Sequence, residues 1–153
     1  MAVISGLFSL GMQDAVCGTV KWNQGPLGAV LLTGYTFDQD NHHFLKDCMG
    51  FEIAQGGANS GYTSLGATVG NGTISYDSAS NEVRIDFADP TWTTATFSAS
   101  SMVVYWRSAG GTTTSWPMIQ YVEFGSTQTV SSGTFSYQVP ATGSAAITMS
   151  TQQ

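Results

Sequence analysis

The stretch from residue 74 to residue 106, ISYDSASNEVRIDFADPTWTTATFSASSMVVYW, decides the fold class. In its EVRIDF segment, Val83, Ile85 and Phe87 alternate with charged residues, which is the period of a strand with one buried and one wet face. The final MVVYW run has the length and apolar content of a strand inside a core. Asp, Ser, Asn and Pro separate these segments, as turn residues do in β proteins. The stretch therefore predicts consecutive antiparallel strands.

The same punctuation continues over most of the chain. LGAVLLT, at residues 27–33, predicts a strand that is buried on both faces. Further short strands are predicted at 62–69, 73–77, 82–87, 94–99, 102–107, 118–124, 134–139 and 145–149. Together they predict an all-β fold, an antiparallel β-sandwich or jelly-roll-like domain over residues 23–153 with one or two short helices.

Two other segments are candidates for helix. Residues 5–16 have mixed apolar spacing, so residues 1–22 are predicted to be either a short helix or an apolar amino-terminal arm that docks on another surface. In FDQDNHHFLKDC, Asp38 or Asp40 has the side chain of a helix N-cap, and Gly50 follows as a stop signal. A helix of about two or three turns is expected there.

Charge is scarce in this chain. Only 9% of the residues are Asp, Glu, Lys or Arg, and the formal net charge is −6. Because Lys and Arg number four in total, the chain lacks the basic stripe that neutralises phosphates, and direct nucleic-acid binding is not expected. The chain also lacks an apolar run of membrane-spanning length and the positive region of a signal peptide. We therefore expect a protein made in the cytoplasm with no membrane segment.

The cysteines, Cys17 and Cys48, lie in no CxxC pair and are too few for a disulfide framework. Two reduced, partly buried thiols are the favoured interpretation. A single disulfide between Cys17 and Cys48 is the alternative, and it would matter in an oxidising environment.

The sequence also contains few of the groupings of ionisable side chains that catalysis or metal binding requires. His42 and His43 are adjacent and lack the i, i+4 spacing of a helical zinc site. Asp38, Asp40 and Asn41 resemble a calcium loop, but the glycine and glutamate of such a loop are missing at the required offsets, so capping is favoured. The serines form no G-x-S-x-G elbow. The sequence predicts no enzyme, no metal site and no cofactor.

Apolar and aromatic side chains are the remaining candidates for contact with a partner. Trp116 and Pro117 follow the glycine-rich stretch 108–115, so they are predicted to form an exposed anchor. Trp106 lies in the MVVYW run and is predicted to pack in the core. The amino-terminal segment adds three candidate contact residues: Leu7, Phe8 and Leu10.

These patterns resemble a family of small structural proteins encoded among the virion genes of tailed bacteriophages. The resemblance is carried by AVLLTGYTFDQDNHHF (29–44), GYTSLGATV (61–69), the stretch 74–106 and IQYVEFGSTQTVSSGTFSYQVP (119–140). In such proteins, a Tyr-Thr-Pro-Asp-like turn leads into a His-Phe segment, and a D-P-x-W strand precedes an apolar V-V-Y strand. Phe37 stands here where the turn often carries proline.

The resemblance implies a capsid decoration (cement) protein that binds the major capsid protein on the outer surface of the virion, after synthesis in the host cytoplasm. Symmetric lattices often present such proteins at three-fold positions, so a homotrimer is expected. An acidic protein is also repelled by packaged DNA, which favours the outer surface.

Two alternatives remain open at this point. A carbohydrate- or receptor-binding module of a tail fibre, spike or neck component is favoured by the tryptophans, tyrosines and many hydroxyl side chains. A glycan hydrolase has the least support, because it rests on unplaced carboxylates alone, namely Asp86, Asp89 or Glu123.

Overall fold

The computed structural model of the chain describes residues 4–141, 143 and 145–148. Residues 1–3 of the predicted arm, and residues 142, 144 and 149–153 of the predicted domain, lie outside them. The described strands are β1 (Ile4–Leu7), β2 (Leu27–Leu32), β3 (Ala67–Gly70), β4 (Thr73–Asp77), β5 (Glu82–Asp86), β6 (Thr91–Trp106), β7 (Met118–Ser136) and β8 (Ala145–Thr148). The helical elements are α1 (Ser9–Val16) and the 3₁₀ turns Leu45–Asp47 and Met49–Phe51.

The strands form two antiparallel sheets, which confirms the predicted all-β fold. The large sheet has the order β1-β7-β6-β2-β3, and the small sheet has the order β4-β5-β8. The arrangement is that of a β-sandwich in the broad sense. The jelly-roll variant is not confirmed, since the described strands divide into sheets of five and three.

The centre of the large sheet is a long hairpin of β6 and β7, of 16 and 19 residues. Each strand merges two segments that the sequence predicts as separate strands: 94–99 with 102–107, and 118–124 with 134–139. The serines between the first pair do not form a turn. They accompany a shift of register between Ala99 and Ser101, which is how a strand accommodates an extra residue without ending.

The large sheet is buried on both faces at its centre, where β2 lies beside the second half of β6 and that half pairs with the first half of β7. β2 is buried along its whole length, as LGAVLLT predicts. Its alternate side chains enter two cores, because successive residues of a strand point to opposite faces. The first core face contains Leu27, Ala29 and Leu31 with Met102 and Val104, and the second core face contains Val30 and Leu32 with Val103 and Tyr105. Ile85 of the small sheet and Phe87 just after it join the first core face.

The FDQDNHHFLKDC segment covers the second core face, but it is not the predicted helix. Oδ1 of Asp38 accepts the backbone N–H groups of Asp40 and Asn41 at 3.2 and 3.0 Å. An aspartate that bonds two and three residues ahead closes a turn as readily as it caps a helix. The chain then lies flat as two 3₁₀ turns and buries Leu45 and Cys48 against the sheet.

The amino-terminal segment is part of the same folded body rather than a free arm. β1 pairs with β7 at the edge of the large sheet, and the N–H of Phe8 donates to the carbonyl of Ile119 at 3.0 Å. Of the two predicted alternatives, the short helix is the one observed, as α1. A Cβ atom on Gly11 would lie 1.8 Å from the carbonyl oxygen of Met118, so only glycine lets α1 pack this closely on β7.

Candidate functional site

An apolar surface remains exposed on the small sheet. Ile74 is 55% exposed, Tyr76 is 61% exposed and Ile147 is 38% exposed. We call these three residues the overhang patch. Their positions are fixed by the strand register, in which Ile74 lies opposite Ile85 and Tyr76 lies opposite Val83, which in turn lies opposite Ile147.

The overhang patch lies on the core-facing side of the small sheet. Side chains directly opposite each other in an antiparallel pair point to the same face. Ile85 is only 2% exposed and belongs to the first core face. The face therefore begins on the core at Ile85 and extends past the edge of the core at Ile74 and Tyr76. Isolated exposed apolar residues are ordinary, but several on one face are typical of a binding surface.

A cleft of about 500 Å³ adjoins the overhang patch where α1 approaches the small sheet. Ile74 lines it together with Ala15 of α1 and Trp22, whose own side chain is buried. The patch and this cleft therefore form a continuous, partly apolar surface with room for an inserted side chain.

The amino-terminal candidates for partner contact are buried or partly buried in the fold. Phe8 is 0% exposed and packs edge-on against Phe37, with the ring centroids 5.0 Å apart. Leu7 and Leu10 are partly buried. The expectation that Phe8 lies on the surface as a contact residue is wrong, because the pairing of β1 with β7 places the residue that follows β1 in the second core face. Contact of this segment with a partner stays a prediction.

The prediction of an exposed anchor at Trp116 and Pro117 is also wrong. Trp116 is 7% exposed and stacks on Tyr105, with the ring centroids 5.7 Å apart. Its indole N–H donates to the carbonyl of Ser108 at 3.1 Å. Pro117 is buried and forms a bridge with Phe44. The glycine-rich loop folds back over the indole instead of presenting it.

A second cleft, the basic cleft, lies where β2 begins and β6 ends. Its volume is about 780 Å³. The side chains that line it include Lys21, Gln24, Pro26, Trp106, Arg107 and Ser108. The guanidinium carbon of Arg107 lies 5.3 Å from the centre of the Trp116 ring, in the geometry of a cation–π contact.

The histidines join segments of the fold. Nε2 of His43 and a carboxylate oxygen of Asp14 are 2.6 Å apart, which ties α1 to the turn before the first 3₁₀ element. Nδ1 of His42 is hydrogen-bonded to the Tyr35 hydroxyl at 2.6 Å, and burial raises the pKa of Tyr35. Within the described part of the chain, no three His, Cys, Asp or Glu side chains come together as metal ligands would.

Two of the three carboxylates named for a glycan hydrolase, Asp86 and Asp89, have structural partners. Oδ1 of Asp86 accepts the N–H of Phe87 at 2.9 Å, and Oδ1 of Asp89 accepts the N–H of Val139 at 2.8 Å. Glu123 is exposed on β7. These contacts explain Asp86 and Asp89 as residues that fix loops beside strands.

Glu52 organises a polar cluster beside the large sheet. Its carboxylate accepts the Tyr62 hydroxyl at 2.8 Å, the Ser64 hydroxyl at 3.1 Å and the Leu65 N–H at 2.6 Å. Burial, and then the charge of Glu52, raise the pKa of Tyr62. The cluster holds Leu65 at a φ of 72°, so it stabilises a strained backbone rather than a reacting group.

The two cysteines, Cys17 and Cys48, are both free thiols. Cys17 is an exposed free thiol at the end of α1, and Cys48 is a buried free thiol whose Sγ–H donates to the carbonyl of Leu45 at 3.3 Å. No bridge joins them, so the alternative of a Cys17–Cys48 disulfide is not realised. Burial raises the pKa of the Cys48 thiol to about 12.

Comparisons with protein-family models, with curated proteins and with solved structures gave no match. Across the described ranges, no helix combines the length and the apolar content needed to cross a bilayer. The two surfaces that stand out, the overhang patch and the basic cleft, are therefore interpreted from their own residues.

Proposed function

We propose that this protein is a structural component of a tailed-phage virion, specifically a capsid decoration protein that binds the lattice of the major capsid protein. The observation that carries the proposal is the overhang patch, where three large side chains on β4 and β8 lie on one face of the small sheet and are exposed to solvent. The resemblance of residues 30–139 to virion structural proteins supports it.

The physical role requires a rigid module with an apolar contact surface. The large sheet, whose centre is buried on both faces, supplies the rigidity, while the overhang patch and its cleft supply area that is buried only when a partner is present. A decoration protein adds such contacts at each lattice position and so resists the pressure of packaged DNA. We further propose that it does so as a homotrimer on the outer surface. There the capsid shell separates a protein with a net charge of −6 from the negatively charged packaged DNA.

The test uses capsids assembled without this protein and then incubated with purified chains. The double variant Ile74→Ser/Tyr76→Ser removes most of the patch. Because these side chains are already more than half exposed, we expect folding to survive. Complete burial of such a side chain contributes about 1.5–3 kcal/mol, so losing the exposed part of two costs about 2 kcal/mol, or roughly thirtyfold in Kd.

The matched control is Ser75→Ala, which alters the opposite face of the same strand and does not line the cleft. Copies bound per capsid and survival of heated particles are the readouts. Equal occupancy by the patch variant and the wild type would refute attachment through this surface. Equal survival of decorated and bare particles would refute the stabilising role, and a monomer in sedimentation analysis would refute the trimer.

A further inference from the structure

The basic cleft has a charge opposite to that of the whole protein. Two of the four Lys and Arg residues, Lys21 and Arg107, line it, although the chain has ten acidic residues. The described residues that line the cleft include no Asp or Glu. Neither Lys21 nor Arg107 forms an ion pair within 4.0 Å with a described residue. The cleft therefore presents two uncompensated positive charges.

Arg107 is positioned before any ligand arrives. Its backbone N–H donates to the carbonyl of Pro26 at 3.0 Å, and its guanidinium lies over the Trp116 ring. Trp116 is itself fixed by its stack on Tyr105 and its bond to Ser108. A guanidinium that rests on an aromatic face keeps its N–H edge available for the two oxygens of a carboxylate. Little side-chain entropy is then lost on binding.

The size of the cleft indicates a ligand larger than a simple ion. Clefts of about 300–1,000 Å³ accommodate organic ligands, and this one measures about 780 Å³. Trp106 supplies a partly exposed indole surface, and Gln24 and Ser108 supply polar groups. A sugar ring with a carboxylate matches this lining, because its C–H face packs on an indole while its hydroxyl groups and carboxylate meet polar and cationic side chains.

A peptide is a poorer match to the same lining. Peptides bind mainly by adding a strand to a free sheet edge or by placing apolar side chains in pockets. Here the backbone is already used, since Leu27 pairs with Trp106 and the N–H of Trp106 donates to the carbonyl of Pro117. The described lining also contains no Leu, Ile, Val, Phe or Met side chain.

We propose that the basic cleft is a binding site for acidic saccharides, with Arg107 as the carboxylate-binding residue, Lys21 as a second cation and Trp106 as the ring-packing surface. The site shares Lys21 with the cleft beside the overhang patch, but Trp106 and Arg107 line the basic cleft and not that one, and the site does not depend on the decoration role. A virion protein with such a site would attach particles to uronic- or sialic-acid-bearing surfaces.

The experiment measures binding to the full chain by calorimetry and tryptophan fluorescence. The acidic probes are a glucuronate-containing tetrasaccharide and sialyllactose. The neutral probes are the same tetrasaccharide with its carboxyl groups reduced to alcohols, and lactose. Tetraglutamate is the peptide probe. We expect at least one acidic sugar to bind with a Kd of about 0.1–1 mM, and both neutral sugars and tetraglutamate to bind at least tenfold more weakly.

Variants assign the binding to the cleft. Arg107→Ala is expected to weaken it at least tenfold, and Arg107→Lys, which keeps the charge but loses the planar fork, by about threefold. Lys21→Gln is expected to weaken it by about threefold. Lys46→Gln removes an exposed cation elsewhere and is expected to change nothing. If Arg107→Ala fails to fold, Arg107→Lys and Lys21→Gln carry the test.

Several results would overturn the proposal. They are equal binding of acidic and neutral sugars, binding of tetraglutamate as tight as that of the sugars, unchanged affinity in the Arg107 and Lys21 variants, and no binding of either acidic sugar up to about 10 mM. The outcome is independent of capsid attachment, because Ile74→Ser/Tyr76→Ser is expected to retain sugar binding and Arg107→Ala to retain capsid occupancy.

Discussion

Strands β2 and β4 both carry large apolar side chains, yet they have opposite environments. All six residues of β2 are buried, whereas four of the five residues of β4 are exposed. β2 has a neighbour on each side and a core on each face. β4 is an edge strand, and its apolar face extends beyond the core. Apolar side chains therefore stabilise the fold in the large sheet and remain available for binding in the small one.

The difference shows that the role of an apolar residue depends on its position in the fold and not on its type alone. Leu31 and Ile74 have side chains of similar size and hydrophobicity. Leu31 is enclosed by the first core face, while Ile74 lies on the continuation of that face past its edge. Natural monomers tend to avoid clustered exposed apolar side chains, so their presence on the small sheet is most simply explained by a contact surface.

The largest expected effect separates the two strands directly. Leu31→Ala removes a fully buried side chain and should lower the free energy of unfolding by about 2–5 kcal/mol. Ile74→Ala should change it by less than about 0.5 kcal/mol. Guanidinium unfolding of both variants measures the difference. If the two variants lose comparable free energy of unfolding, Ile74 is packed as tightly as Leu31 and the contrast between the two strands is refuted.

A second comparison tests how tightly the large sheet is packed. Gly28 of β2 lies opposite Tyr105, and a Cβ atom on Gly28 would lie 2.3 Å from the tyrosine ring. Gly28→Ala must displace that buried ring, at a cost of about 1–3 kcal/mol. Ser75→Ala on β4 is the control, with an expected change under about 0.5 kcal/mol. Thermal unfolding followed by circular dichroism is the measurement, and equal melting temperatures would contradict the packing.

Alkaline pH provides a third comparison. Burial raises the pKa of Tyr105 from its ordinary 10.0 to about 12. An unfolded chain loses this proton from pH 10 upward while the folded protein keeps it, so the stabilisation is complete below pH 10 and is lost as pH rises towards 12. Tyr105→Phe should reduce the loss of stability between pH 9 and pH 11 by about 1 kcal/mol.

The control for the alkaline comparison is Tyr76→Phe, which removes an exposed hydroxyl from β4. The readout is the urea midpoint at each pH, compared within each variant, so that loss of the Tyr105 hydrogen bond to the Leu65 carbonyl cancels. An unchanged pH dependence in Tyr105→Phe would show that this hydroxyl is not protected in the folded protein.

The smallest expected effect concerns the thiols. Cys48 is buried beneath the large sheet and its thiol stays protonated near neutral pH, whereas Cys17 is exposed. A disulfide reagent at pH 8 should therefore label one thiol per folded chain and two per unfolded chain. Labelling should leave the melting temperature unchanged. Rapid labelling of Cys48, detected by peptide mass, would show that the covering 3₁₀ segment opens readily.

Much of the fold could be predicted because its strongest patterns are local. LGAVLLT and MVVYW are continuous apolar runs, and both are buried strands. The errors came from features that local patterns leave ambiguous. Asp38 has the same sequence signature whether it caps a helix or a turn, and Ser100 and Ser101 have the same signature in a turn or in a bulge.

The binding surfaces could not be predicted in the same way, because they depend on contacts between distant residues. Trp116 is buried because a loop folds it onto Tyr105, and Phe8 is buried because β1 pairs with β7. Lys21 and Arg107 come to line the same cleft only once β2 and β6 are paired. The sequence predicts Ile74 on a strand, but its exposure depends on how far the first core face extends across the small sheet, which covers Ile85 and not Ile74.

The pairing of β1 with β7 affects how the protein can be made. Ile4 lies opposite Glu123, so β1 cannot pair until β7 has been synthesised. Until then, the segment that becomes β1 and α1 remains unpaired on the nascent chain, and such non-local pairing slows folding. A chain truncated before β7 cannot complete the large sheet, because β1 and β6 both pair with β7.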